Sequence, residues 1–327
     1  MKRIIVLLLL AAIVAPAFAD DALVLPKGVL RTRIAPSVSF GSQEFDKDGE
    51  KQDIGGGAVD SFSAWNLAAA LEYGVTDEIN VALQWAPGWN MAASTNASSD
   101  LPDPNQEAIE NAKNTGLYDL FVGAKAQILG SQGFVPNETM RLAGALGFIV
   151  PLSVYDPDEA GENAAEGKEY QAGRLGNDTF ATGFRLYYDY VISEAFYWNL
   201  FTEFKYFFPR DLDQGGDVTA EVAPGFELTL ETEPHYEMPV GDGMVLTAGL
   251  PLTFDITGES EVEGTAQKDS TNLFKVSPTI GLNMRSLPLP TDVSLSYTLP
   301  VFGSGDDNAS VTATNTVALQ IKNYLRF

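Results

Sequence analysis

The 327-residue sequence has no cysteine and a single histidine, His235. Without cysteine there is no disulfide framework, no thiolate metal site and no cysteine nucleophile. One histidine cannot supply the usual His-rich catalytic zinc set, and any Ser-His-Asp triad would have to use His235 alone. Cations are scarce as well. Twenty Lys+Arg face forty-four Asp+Glu, a formal net charge of −24, which argues against nucleic-acid binding through phosphates. After residue 19 no uninterrupted apolar run approaches the roughly twenty residues that a helix needs to cross a bilayer. Apolar residues are nevertheless 45% of the chain, so a helical membrane protein is excluded and disorder is disfavoured.

What is present begins with an export signal. Lys2 and Arg3 stand before an apolar core from Ile4 to Val14, and Ala17-Phe18-Ala19 makes a small-residue step ahead of Asp20, the layout of a cleaved secretory signal. Residues 1–19 are expected to be removed, leaving 20–327 as one domain. Losing Lys2 and Arg3 makes the mature chain more acidic still.

The acids crowd into Glu44 to Asp60, Asp100 to Glu110, Asp156 to Glu169, Asp211 to Asp217 and Glu259 to Asp269. Each segment is also rich in Gly, Pro, Asn or Ser, and all five read as loops. Asp46, Asp48, Glu50 and Asp53 resemble a fragment of a calcium loop without its full ligand spacing. The bland alternative is a solvated, self-repelling surface loop. No cofactor is expected beyond divalent cations held loosely at these acidic loops.

Between the loops the side-chain period is two, the period of a strand. In Leu30 to Phe40 the residues Leu30, Thr32, Ile34, Pro36, Val38 and Phe40 share one face, and Arg31, Arg33, Ala35, Ser37 and Ser39 share the other. The pattern returns in Trp65 to Val75 and Ile79 to Trp89, joined by the tight link Thr76–Glu78. Further strands are expected at about 116–129, 139–151, 179–192, 196–208, 219–232, 244–256, 273–284, 292–302 and 311–327. The total is about twelve, an even number, as in a single-chain up-and-down antiparallel barrel with both termini in the periplasm. The inner-side links would be Thr76–Glu78, Gly130–Glu138, Ser193–Ala195, Glu233–Gly243 and Arg285–Thr291. The acidic segments would be the outer loops.

A soluble sandwich also alternates, but its exposed faces should carry many charges and its turns should be short at both ends. Here the polar face is mostly Gly, Ala, Ser, Thr and Asn with a few charges in mid-strand, which suits the water-filled inside of an all-β transmembrane barrel. Aromatic residues sit near the strand ends of the apolar face. Phe40, Trp85, Trp89, Tyr118, Phe148, Phe180, Tyr206, Phe208 and Phe254 would form one interfacial girdle, and Tyr73, Tyr190, Phe196 and Trp198 the other. The last strand places Val317, Leu319, Ile321, Leu325 and Phe327 on one face and ends on Phe327. With Leu325, that terminal aromatic resembles the signal read by the outer-membrane barrel assembly machinery, although Asn323 departs from the pattern. The expected partners are therefore outer-membrane lipid, that machinery and a small solute.

Three stretches carry a family resemblance: LEYGVTDEINVALQWAP (Leu71 to Pro87), TGLYDLFVGAKAQIL (Thr115 to Leu129) and RLAGALGFIVPL (Arg141 to Leu152). They resemble the repeated hairpins of outer-membrane transporter barrels linked with the MetA pathway of phenol degradation, porin-like proteins loosely akin to the long-chain fatty acid transporter group. The resemblance implies fold and location more than substrate. One departure is that the chain passes almost directly from Asp20 into a strand at about Val29, with no room for the N-terminal hatch domain of fatty acid transporters.

In this register Arg31, Arg33, Lys125, Arg141, Arg185, Lys205 and Lys275 face inward with Glu72, Asp119, Asp189, Glu203, Glu221, Glu227 and Asp255. Unpaired charge in a confined interior is costly, so these groups pair or stay hydrated. Twelve strands lie between a filled eight-stranded barrel and an open sixteen-stranded one, and a narrow charged pore is expected. The rival readings are a structural or adhesin-type barrel whose acidic loops bind a partner or cations, and a barrel hydrolase. A barrel phospholipase would have to use His235, which falls in an expected inner-side turn, away from outer-leaflet lipid; a barrel protease with paired acids stays open by residue type, although no pairing is visible in the sequence.

Overall fold

The protein is described by a computed structural model that covers residues 21–216 and 218–327. The expected signal at residues 1–19 lies outside the described residues. Twelve antiparallel barrel strands follow in chain order: β1 (Val29–Gly41), β2 (Val59–Gly74), β3 (Ile79–Ala97), β4 (Gly116–Leu117 and Leu120–Leu129), β5 (Met140–Val150), β6 (Ala181–Ser193), β7 (Phe196–Phe207), β8 (Glu227–Gly241), β9 (Met244–Gly249 and Leu252–Thr257), β10 (Thr271–Val276 and Thr279–Met284), β11 (Thr291–Gly305) and β12 (Asn315–Arg326). Each pairs with the next, and β12 pairs back onto β1 with Val29 opposite Arg326. Closure leaves no sheet edge, so all backbone groups of the wall can bond to neighbouring strands, which hydrocarbon surroundings require.

Alternation decides which face is which. On β1 Arg31, Arg33, Ser37 and Ser39 are buried inside while Ile34 is 53% exposed outside. On β6 Phe184, Leu186 and Tyr190 point outward and Tyr187 and Asp189 inward. Trp65, Trp89, Phe148 and Phe180 stand exposed on the wall toward the long loops, and Tyr190, Trp198 and Tyr236 toward the short turns, as two interfacial belts do. Leu325 also faces outward, and Phe327 is 81% exposed while its backbone N–H donates to the Gly28 carbonyl at 2.9 Å.

One strand differs from the sequence expectation. The eighth strand runs over Glu227–Gly241, not 219–232, and the expected link Glu233–Gly243 shrinks to a two-residue turn at Asp242-Gly243. The physical reason lies at Pro224-Gly225. Pro224 has no N–H for the ladder, and Gly225 passes so close to the Gly258 backbone that a Cβ would not fit. Residues before that point leave the wall. Thr219–Ala223 instead joins Arg210–Asp213, Glu261–Val262 and Thr265–Ala266 in a small sheet at the long-loop end.

The acidic segments are more ordered than loops of that composition suggest. They hold α1 (Asp103–Asn111) and α2 (Pro157–Ala165). The start of α2 follows from its sequence: Asp156 accepts from the N–H groups of Asp158 and Glu159, Pro157 needs no partner in the first turn, and two acids face the helix N-terminus. Gln43–Phe45, Lys51–Asp53 and Val311–Thr312 form a further three-stranded sheet. Together these pieces make up much of the long-loop end.

Candidate transport lumen

The inner surface carries three groups of charge. The first is a belt. Arg31 meets Glu72 at 2.5 Å, Gln84 donates to Glu72 at 3.3 Å, and Arg185 donates to the Gln84 side-chain Oε1. Arg185 also meets Glu203 at 2.5 Å, and Lys205 lies 3.7 Å from Glu203 and 2.9 Å from Glu227. Because Gln84 is on β3 and Arg185 on β6, this belt reaches inside across β4 and β5. Glycines make the room. Gly123, Gly147 and Gly183 are consecutive cross-strand neighbours on the inner face, the Phe121 ring lies over them, and the Arg185 guanidinium sits 3.9 Å from the centre of that ring. A Cβ on Gly123 would come within 2.7 Å of the ring. At Gly183 the ring alone would be met, at 3.2 Å. Gly183→Val is therefore expected to lower the unfolding free energy in detergent by about 1–3 kcal/mol through overpacking. Adding Phe121→Ala should return most of that loss in a double-mutant cycle, whereas strict additivity of the two changes would refute the contact.

The second group lies toward the short-turn end, where residues 21–28 run inside the barrel. Ala22 is fully buried against Ala143, Ala145, Tyr187 and Phe201. Its N–H donates to both carboxylate oxygens of Asp189 at 3.1 Å, and Arg141 lies 3.5 Å from the same carboxylate. Lys125 donates to the Asp21 carbonyl at 2.6 Å and stands over the Tyr187 ring at 4.1 Å. Leu25 N–H donates to Asn80 at 2.9 Å, and Lys27 N–H to Asp77 at 3.0 Å. The stretch expected to lead straight into the first strand thus fills part of the lumen first. It is no hatch domain, but it obstructs.

The third group is on β8 and its neighbours. Lys275 meets Asp255 at 2.5 Å, Thr229 donates to Asp255 at 2.8 Å, and Thr253 donates to Glu231 at 2.8 Å. His235 Nδ1 is 3.0 Å from Glu233, and the imidazole stacks on Tyr197 at 4.5 Å.

Of the residues read as lumen-lining, Arg31, Arg33, Glu72, Lys125, Arg141, Arg185, Asp189, Glu203, Lys205, Glu227 and Lys275 are on the inner face. Asp119 sits at the break in β4, under Gly176 of the loop before β6. Glu221 is a correction: it is exposed in the long-loop sheet opposite Asp211, because Pro224-Gly225 takes its strand out of the wall. His235 is a second correction, since it lies on the inner face of β8 and not in a turn. Sequence reading missed Glu231 and Glu233. The signal was there, because Glu227, Glu231, Glu233, His235 and Glu237 share one parity while Leu228, Leu230, Tyr236 and Met238 hold the other.

Asp46 spends its Oδ1 on the N–H groups of Asp48 and Glu50, both at 2.9 Å, as a turn does. Among the described residues no three acids or histidines converge as a metal set, Asp46, Asp48, Glu50 and Asp53 included. The rim also holds cations. Lys268 and Lys47 lie 3.3 and 3.7 Å from Asp307 and hold its carboxyl below the usual carboxylate range.

No protein-family model matches the sequence, and no curated protein is significantly similar to it. Among solved structures the chain is similar to the COG4313 outer membrane channel from Pseudomonas putida F1, with a TM-score of 0.67 at 16% identity over 95% of this chain and all of that one. A FadL homologue from Pseudomonas aeruginosa (TM-score 0.42, 14% identity, 91% of this chain and 90% of that one) and the toluene transporter TbuX from Ralstonia pickettii (0.40, 10%, 93% and 90%) follow at a level that carries no argument. A closed even-stranded barrel with an apolar, aromatic-bounded outer belt is the architecture of the bacterial outer membrane. The chain is an outer-membrane β-barrel with the fold of the COG4313 channel.

Proposed function

We propose that the protein is a channel through which small solutes pass passively along a narrow, charged lumen, with the short-turn end and both chain ends in the periplasm. The observation that carries this reading is the inward belt from Arg31 to Glu227. Its charges are arranged along one inner wall and bridge to one another, so the interior carries both signs and is not packed with apolar side chains alone. Twelve strands leave a lumen of intermediate width, and residues 21–28 narrow it from the periplasmic side. An acidic rim above it raises the local concentration of cations and lowers that of anions at the entrance.

The test is single-channel recording of the refolded barrel, with anionic, cationic and aromatic solutes offered as blockers. Discrete conductance steps that at least one solute class reduces are the expected result. A silent, solute-insensitive barrel would refute the channel reading and leave the fold untouched. A hydrolase acting on outer-leaflet lipid through His235 is disfavoured, because that residue bonds to Glu233 and stacks on Tyr197 on the inner face.

A further inference from the structure

We infer that the lumen holds a small monovalent cation at a site formed by Glu231, Glu233 and Asn199. Whether the barrel conducts does not affect this inference. The three side chains come together through strand register. Glu231 and Glu233 are two residues apart on the inner face of β8, roughly 7 Å along the strand. Asn199 on β7 is the direct cross-strand partner of Glu233, so their side chains stand side by side.

All three are more than nine-tenths buried, at 5%, 6% and 6% exposure. Two of their oxygens, Glu231 Oε1 and Asn199 Oδ1, are enclosed with no hydrogen-bond donor in reach among the described residues. Enclosed acceptors left bare are unusual in folded proteins, and two on neighbouring positions of one wall point to an occupant that accepts nothing and is attracted by oxygen. Two of the other carboxylate oxygens have partners. Glu231 Oε2 takes the Thr253 hydroxyl at 2.8 Å, and Glu233 Oε1 faces His235 Nδ1 at 3.0 Å.

Charge separates a cation from a water molecule as that occupant. Asp189 is the cross-strand partner of Asn199 on its other side, and its carboxylate holds Arg141 at 3.5 Å. Lys275 is held at 2.5 Å by Asp255, and Lys125 reaches the Asp21 carbonyl. Each nearby cation thus has a carboxylate or carbonyl of its own, and the acids Glu231, Glu233 and Asp255 outnumber Lys275, the cation that also acts on Glu231. Water would satisfy the bare acceptors but bring no charge, and uncompensated buried carboxylates are costly. Two carboxylates and an amide fall short of the six to eight oxygens that calcium takes. They suit one small positive charge, either an alkali ion or the primary ammonium group of a solute.

The experiment is diffraction from crystals of the detergent-solubilised barrel soaked in thallium(I) acetate. An anomalous peak between Glu231 and Asn199 is expected, absent in Glu231→Gln, a near-isosteric change that leaves the wall intact. A second soak adding methylammonium chloride separates the sources: loss of the peak assigns the site to ammonium groups, and its persistence to bare ions. The unfolding midpoint in potassium chloride is expected to exceed that in N-methylglucamine chloride at equal ionic strength. Ordered water alone at the site, or equal midpoints in the two salts, overturns the inference.

Discussion

Replacing Glu203 by leucine is expected to lower the unfolding free energy of the barrel by about 3–5 kcal/mol, the scale for stripping one partner from a buried ion pair. Glu203 sits between two cations, 2.5 Å from Arg185 and 3.7 Å from Lys205, and its side chain is 12% exposed. Leucine at 203 leaves the guanidinium with the Gln84 side-chain Oε1, the Tyr187 hydroxyl and the Phe121 face, none of which carries a full negative charge. Changing Arg185 to leucine as well should recover a substantial part of the loss, because Lys205 keeps Glu227 at 2.9 Å. Denaturant titration in detergent micelles, read by the mobility shift of the folded barrel, measures all three proteins. A loss below about 1 kcal/mol for the single change would mean that lumen water screens the belt as it screens a surface pair. The belt would then guide solutes and contribute little to stability.

Removing residues 21–26, with the export signal and Asp20 retained, is expected to raise single-channel conductance several-fold. These residues occupy the lumen at the level of Asp189, Lys125 and Asn80, held there by the N–H groups of Ala22 and Leu25 and by the Asp21 carbonyl. The bonds to Asp189 are charge-assisted, the stronger kind. Asp189→Asn should therefore loosen the segment without removing it, seen as more frequent transitions to a larger conductance. Equal conductance in the intact and shortened barrels would show that the constriction lies elsewhere, with the belt as the next candidate. A third, smaller change bears on assembly: deleting Phe327 is expected to reduce the amount of barrel reaching the outer membrane while leaving in-vitro refolding into micelles nearly unchanged. Envelope fractionation beside a refolding assay checks both halves.

How much of this was legible depended on whether an element's signal was local. Alternation is local, and Leu30 to Phe40 separated into an Arg/Ser face and an Ile/Val/Phe face without any knowledge of its neighbours. Tight turns are local too, and Thr76–Glu78 and Ser193–Ala195 fall where the hairpins bend. The boundary of the eighth strand is not local, because a proline ends a strand in one place and sits within one in another. Pro234 and Pro239 lie inside β8, whereas Pro224-Gly225 marks the true boundary, and only the approach to Gly258 distinguishes them. The α2 start was legible in Asp156-Pro157-Asp158-Glu159, but acidity drew that stretch into a loop.

The lumen was half legible for a related reason. Parity places Arg185, Glu203 and Lys205 inside, yet which charges meet depends on stagger between strands that no single segment reveals. The contact from Arg185 across to Gln84 needed the glycines at 123, 147 and 183 to line up, which is a property of register. The segment 21–28 left a clue in Ala22-Leu23-Val24-Leu25, an apolar run that does not alternate and so fits no wall strand. Being short and next to the expected cleavage step, it read as a lead-in.

The pairing of Val29 with Arg326 joins the two ends of the wall, across nearly the full length of the described chain. Such a contact cannot form until the final strand is available, and its entropic cost is met late. Before then β1 and β12 each present an open row of backbone donors and acceptors, the surface on which strands from other chains add. The vulnerable interval in the life of this protein is therefore set by how fast its last dozen residues find its first, and the rate of that meeting governs whether a barrel or an aggregate results.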